Sequence, residues 1–166
     1  MKQNAFTGNN CDFYKQIKKS INDADSIDII VSFLMESGVR LIVNDLKESN
    51  KKIRILTGSY LNITQPEALY LLKSELKDNL DLRFYNVKNK SFHPKAYIFH
   101  NERDSEIYVG SSNLSKGGLT TSVEWNYRFR KSENPNDFNT FIDNFENLFS
   151  CFDTKIRRAN ANRHNT

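Results

Sequence analysis

The chain has 166 residues, 38% of them hydrophobic and 12% aromatic, which is enough for one compact core and too little for a second catalytic domain. Its 24 basic and 20 acidic residues leave a net charge of +4, a bias that permits a polyanionic partner without demanding one. Cys11 and Cys151 match no metal-ligand spacing and read as reduced thiols; with no apolar run near the roughly 18 residues of a membrane span and no apolar signal region in MKQNAFTGNN, a soluble cytoplasmic protein is expected.

Phe13, Ile17 and Ile21 recur every four residues, so residues 11–22 should form an amphipathic helix with Lys15, Lys18 and Lys19 facing outward. The apolar run from Ile27 to Phe33 reads as a buried strand. Val39, Leu41, Ile42, Val43 and Leu46 return to helical spacing, and a second strand follows from Lys51 to Thr57, closed by Gly58. Pro66 opens a helix through Leu76, and Leu80 to Tyr85 forms a short strand. Strands at Ala96–Phe99 and Glu106–Val109, joined by the polar turn Asn101–Ser105, read as a hairpin, and Glu124–Arg130 as a further strand. Aromatic and aliphatic residues from Phe138 to Phe152 then recur at three- and four-residue steps. They predict a closing helix over 136–152, with a stripe that is mainly core and partly available to a partner subunit. This alternation is α/β.

Chemistry concentrates between Ser91 and Asn126. His93 and Lys95 stand immediately before a strand, and two residues apart on an extended chain share a face, so imidazole and ammonium can meet one anion. Gly110 permits a tight backbone turn, after which the Ser111 hydroxyl and Asn113 amide can donate to phosphate oxygens. Glu124 opens the next strand, where its carboxylate could accept a hydrogen bond from one ring nitrogen of His93 and free the other to attack.

The order His93-x-Lys95, Gly110-Ser111-x-Asn113 and Glu124 resembles the HxK, GSxN and downstream Glu signature of the phospholipase D superfamily. The α/β alternation is similar to that superfamily's fold, a mixed β-sheet flanked by helices. The segments SFHPKAYIF, YVGSSNLSKGGL and SVEWN resemble its nuclease-type members, namely restriction endonucleases of this class and the domain at the N-terminus of bacterial superfamily II helicases. The resemblance implies a nuclease domain over residues 1–153 followed by a basic polar tail or linker, 154–166. It also implies phosphodiester hydrolysis with no metal or other cofactor, through a phosphohistidine. That reaction needs two imidazoles, one to attack and one protonated to release the leaving oxygen, and a single motif supplies one, so a symmetric homodimer is expected. Implied partners are DNA, with RNA as the alternative, and a helicase or ATPase, in bacterial restriction or phage defence. The fuller family motif carries Asp where this chain has His100, which reads as a strand-end or turn residue.

Gly110 to Gly118 fails the phosphate-loop pattern. A metal site from His93, His100 and Glu124 is disfavoured because the two histidines, seven residues apart, would face opposite sides of one strand. Trp125 should turn to the other sheet face and pack in the core, and His164 should be solvated. Lys88, Lys90, Lys116, Arg128 and Arg130 could line a nucleic-acid groove or simply be a charged rim. Lipid hydrolysis lacks a membrane-docking element, and the rival to catalysis is a binding module serving a helicase or another effector.

Overall fold

The computed structural model describes residues 3–8, 12–58, 63–87 and 89–150. Cys11, Lys88, Cys151, His164 and the boundary near residue 153 lie outside them. Among the described residues, strands β1 (Ala5–Gly8), β2 (Ser26–Val31), β3 (Lys52–Gly58), β4 (Leu80–Tyr85), β5 (Lys95–His100), β6 (Glu106–Gly110) and β7 (Glu124–Arg130) form one sheet in the order β1-β7-β6-β5-β2-β3-β4. Helices α1 (Asp12–Asp23), α2 (Glu36–Ser49), α3 (Pro66–Leu76) and α4 (Pro135–Ser150) flank it.

The sheet is mixed. β2, β3 and β4 are parallel, connected through α2 and α3, whereas β5, β6, β7 and β1 join antiparallel. Strand periodicity sorts the core into two layers. Ile27, Ile29, Val31, Ile53, Ile55, Tyr97, Phe99 and Tyr108 face α1, α2 and α3, while Ile30, Leu56, Ala96, Ile98 and Ile107 face α4. The predicted spacing of α1 buries Phe13, Ile17 and Ile21, each worth about 1.5–3 kcal/mol of apolar transfer. Phe13 also meets the rings of Phe6, Tyr97 and Tyr108 at centroid separations of 5.9–6.0 Å.

β1 escapes sequence reading because four residues with one buried side chain, Phe6, carry no measurable period. Its register against β7 is a tertiary matter, pairing Ala5 with Tyr127 and Thr7 with Trp125.

Charged residues pin α4 to the sheet. Asp28, buried in β2, accepts both Nε and Nη2 of Arg54 at 2.7 Å, and Arg54 reaches on to Glu146 of α4 at 2.6 and 3.0 Å. Arg54 lies over the rings of Phe145 and Phe149, so its charge and its plane are both used. His100 ends β5 as expected, and its Nε2 lies 2.6 Å from Asp28 Oδ2. The end of the strand where the superfamily motif has a carboxylate thus carries an imidazole, held by a carboxylate from the neighbouring strand.

Burial pushes the Asp28 carboxyl up, but hydrogen bonds from His100 and Arg54 outweigh it and hold the group below the usual carboxylate range. A depressed folded-state pKa means that this stabilisation is present above the unfolded value of about 4 and is lost as pH falls through the folded one. Asp28→Ala should therefore cost about 2 kcal/mol at neutral pH. Denaturant titrations at a series of pH values should also show its stability falling less steeply below about pH 4 than that of the wild type.

Candidate active site

The motif residues converge on one end of the sheet. Lys95, the first residue of β5, pairs with Val31, the last of β2, while Gly110 at the end of β6 pairs with Asn126, two residues into β7. The chain direction of these strands therefore delivers His93, Lys95, Ser111, Asn113 and Glu124 to the same edge, and the connection after β2 closes on it through a bridge between Leu34 and Leu114.

His93 is exposed and lies in the extended segment before β5, while Lys95 is buried on the face shared with Tyr97. The two are joined by direct contact rather than by strand alternation. Lys95 Nζ lies 2.7 Å from His93 Nδ1 and 2.9 Å from the His93 carbonyl oxygen. Burial lowers the Lys95 pKa from its ordinary value, and the Glu124 carboxylate partly restores it. An ammonium can only donate, so the contact makes Nδ1 the acceptor and leaves the ring proton on Nε2.

Glu124 accepts a short hydrogen bond from Ser111 Oγ, which also accepts Trp125 N–H at 3.0 Å. Ser111, one residue past the end of β6, thus ties its hydroxyl to the carboxylate that opens β7. Ser111 N–H in turn donates to the Trp125 carbonyl at 3.0 Å. Gly110 is required for a different reason from a tight turn. A Cβ there would come within 2.2 Å of the Trp125 carbonyl oxygen and 2.4 Å of Asn126 Oδ1, so β6 and β7 could not meet.

Asn113 is nearly buried, at 7% exposure, and its Oδ1 accepts Phe33 N–H at 3.3 Å. With the oxygen committed, Nδ2 is the group left to donate. Behind it, Ser112 is held by Asn126, whose Nδ2 donates to Ser112 Oγ at 2.8 Å, and Tyr97 OH donates to the Ser112 carbonyl at 3.2 Å. Burial raises the Tyr97 hydroxyl far above its ordinary pKa, with Glu124 adding to the shift, so it remains a donor. Asn126 was missed in the sequence. Its signal was a polar residue two positions after Glu124, on the inward face of a strand.

Two of the basic candidates change. Arg128 and Arg130 do not border the site, since four to six residues of strand separate them from Glu124, roughly 14–20 Å. Arg128 is buried, donating to Gln3 O at 2.6 Å and paired with Glu106 at 3.6 Å, and Arg130 is paired with Glu106, Asp104 and Glu133. Neither charge is free for a phosphate backbone. Lys90 and Lys116 are exposed on segments adjoining the motif, and Lys88 is outside the described residues.

Trp125 is corrected as well. It does turn to the opposite sheet face from Asn126, but it is 71% exposed rather than core, because α4 does not extend over that end of β7. A concavity of about 990 Å³ lies at the other end of the sheet among Lys15, Lys19, Asp25, Glu102 and Arg103 and includes none of the motif residues. Among the described residues no group of three or more His, Cys, Asp or Glu side chains is arranged to hold a metal ion, and no helix is long and apolar enough to cross a membrane.

A family model described as cardiolipin synthase, PLD-like domain, matches residues 15–152. The chain belongs to this PLD-like family. No curated protein matches it. Among solved structures, NucT from Helicobacter pylori is similar at a TM-score of 0.70 and 15% identity, over 90% of this chain and 96% of that one. Nuc from Salmonella typhimurium, a phospholipase D family member, is similar at 0.65 and 16%, over 88% and 93%. A polyphosphate kinase from Porphyromonas gingivalis gives 0.64 and 12%, over 88% of this chain but 22% of its own. At such identities these likenesses establish the phospholipase D-like fold, a mixed sheet flanked by helices.

The Asn113 loop leans on α2 so closely that a Cβ at Gly38 would lie 2.3 Å from Ser115 N and 2.4 Å from the Leu114 carbonyl carbon. Gly38→Ala should lower stability by about 2 kcal/mol, seen as a Tm drop of roughly 6 °C for a chain of this size.

Proposed function

We propose that the protein is a phosphodiesterase of nuclease type that cleaves DNA without a metal, through one active site shared between two copies of the chain. The observation that carries this reading is the His93–Lys95 contact at the sheet end where the Asn113 amide and the Ser111–Glu124 pair meet. A cation, an imidazole and neutral donors around one point suit a phosphodiester anion, whose charge they offset. The nuclease-type PLD motifs and the likeness to Nuc and NucT support a nucleic-acid substrate.

In this reading an arriving phosphate draws Lys95 off the imidazole, the ring proton passes through solvent from Nε2 to Nδ1, and Glu124, released by Ser111, accepts a hydrogen bond from Nδ1–H. The unprotonated Nε2 then attacks phosphorus, forming a P–N bond as the P–O bond to the leaving nucleotide breaks. The leaving oxygen takes its proton from a second imidazolium. Water, giving a proton back to that imidazole, attacks phosphorus and breaks the P–N bond, restoring both rings. Lys95 and the Asn113 amide offset the charge on the non-bridging oxygens.

His93 is the one imidazole at this end among the described residues, since His100 is committed to Asp28. The second ring therefore comes from another copy, related by a two-fold axis. A helicase or ATPase partner, in a cytoplasmic restriction or phage-defence system, would supply the target selection that a domain this small lacks.

Cleavage of plasmid DNA should persist in excess EDTA and fall by at least about 10³-fold in His93→Ala, within the range lost when a nucleophile is removed. Strict dependence on Mg²⁺ would defeat the mechanism. The alternative, a binding module without turnover, is favoured by the resting tie of Glu124 to Ser111. It predicts oligonucleotide binding that His93→Ala leaves unchanged, with no cleavage by either protein.

A further inference from the structure

His93 stands in a stretch, residues 90–94, that belongs to no strand or helix, yet the residues on either side of it are both anchored. Phe92 is 6% exposed and joins the apolar layer under α4 with Ile30, Leu56, Ala96 and Ile98. Its ring lies nearly parallel to that of Tyr85, the last residue of β4, at a centroid separation of 4.5 Å and an angle of 19°. On the other side of His93, the Pro94 carbonyl accepts a hydrogen bond from Ser32 Oγ at 3.3 Å.

The seat of Phe92 is made by the ends of two strands. Gly58, the last residue of β3, pairs with Tyr85 across the ladder, and a Cβ on it would come within 2.8 Å of Phe92 Cδ1. The ring thus fills the space that a side chain in place of Gly58 would need. Gly58 N–H donates to the Ser32 carbonyl at 3.3 Å, so one buried serine holds both the seat of Phe92 and the carbonyl of Pro94. From the opposite face of the sheet, the one shared with Tyr97, Lys95 Nζ meets the His93 ring at 2.7 Å.

Core packing alone asks only for an apolar side chain of about the right volume before His93. A ring stacked in one plane, with glycine required beneath it, is a narrower demand. Consecutive Cα atoms are about 3.8 Å apart, so a shift of that ring carries the His93 backbone with it.

We propose that Phe92, seated on Gly58 and stacked on Tyr85, is a positioning residue that holds the His93 imidazole in line with the phosphate. The inference rests on the reading of His93 as the nucleophile. Phe92 touches no reacting atom and acts only through its neighbour, where a misplacement of about 1 Å costs on the order of 100-fold in rate.

Phe92→Leu keeps an apolar side chain but removes the flat ring, and Gly58→Ala pushes on the ring from its seat. Each should lower kcat for oligonucleotide cleavage by roughly 10- to 100-fold, with KM within about twofold of the wild type. The double variant should lose no more than the worse single one, because a side chain with free rotamers gives way to the new methyl group. Nitrogen NMR of the imidazoles supplies a readout that needs no cleavage. His93 should show the Nε2–H form in the wild type, as the Lys95 contact on Nδ1 requires, and a mixture of both tautomers in each single variant, with the His100 signals unchanged. Wild-type kcat in both single variants, or an unchanged His93 spectrum in them, overturns the proposal. So does a double variant whose loss is the product of the two single losses, or a loss of rate that follows the unfolded fraction in thermal melts, which is what packing alone would give. Failure of the nuclease reading is separate: a wild type that cleaves no DNA removes that reading, while the His93 tautomers in the variants still decide whether Phe92 holds the ring.

Discussion

The loop after β6 and the N-terminus of α2 meet backbone to backbone, and the geometry of the candidate site depends on that approach. Met35 N–H donates to the Leu114 carbonyl at 3.0 Å, Leu34 bridges Leu114, and Phe33 N–H holds the Asn113 side chain. Gly38 makes the approach possible by presenting no Cβ to Leu114 and Ser115. From the other side Asn126 ties Ser112 to β7, so the loop is fixed between two halves of the sheet that are far apart in sequence. A donor aimed at a phosphate is useful only if it need not be reorganised, and this is the physical content of that rigidity.

The two ends of the sheet divide the polar chemistry. One end holds the exposed His93, with Lys95, Ser111 and Glu124 able to exchange partners. The other end is closed by strong pairings. Asp28 takes Arg54 and His100, Glu106 takes Arg128 and Arg130, and Ser20 Oγ lies 2.5 Å from Glu106 and 2.9 Å from Tyr108 OH. Burial and the Glu106 charge push the Tyr108 hydroxyl up to about 12. Charges buried with all their partners hold a fold in one register, and charges with rearrangeable partners can respond to a ligand.

The fold and much of the site were legible in the chain. Helical spacing in Phe13, Ile17 and Ile21, the Pro66 start of α3, and the limits of β4 and β7 are all local properties, set by side-chain period and by residues that begin or stop an element. The motif residues were legible because their chemistry and spacing lie along one segment. β1 was not legible, and neither was the role of Asn126, because both exist only through partners more than ten residues away.

By itself the sequence determined which residues alternate, and hence that Trp125 and Asn126 turn to opposite faces, that His93 and Lys95 stand at the entry to one strand, that Ser111 and Asn113 follow the next, and that Glu124 opens another. Only the tertiary structure decided what meets each face. It left Trp125 and Tyr127 uncovered where α4 falls short, and gave Arg128 and Arg130 to carboxylates at the far end. It also turned Glu124 to Ser111 and Lys95 to His93. The reason is that period is a property of the chain, whereas burial and ion pairing are properties of the groups that the fold brings against it.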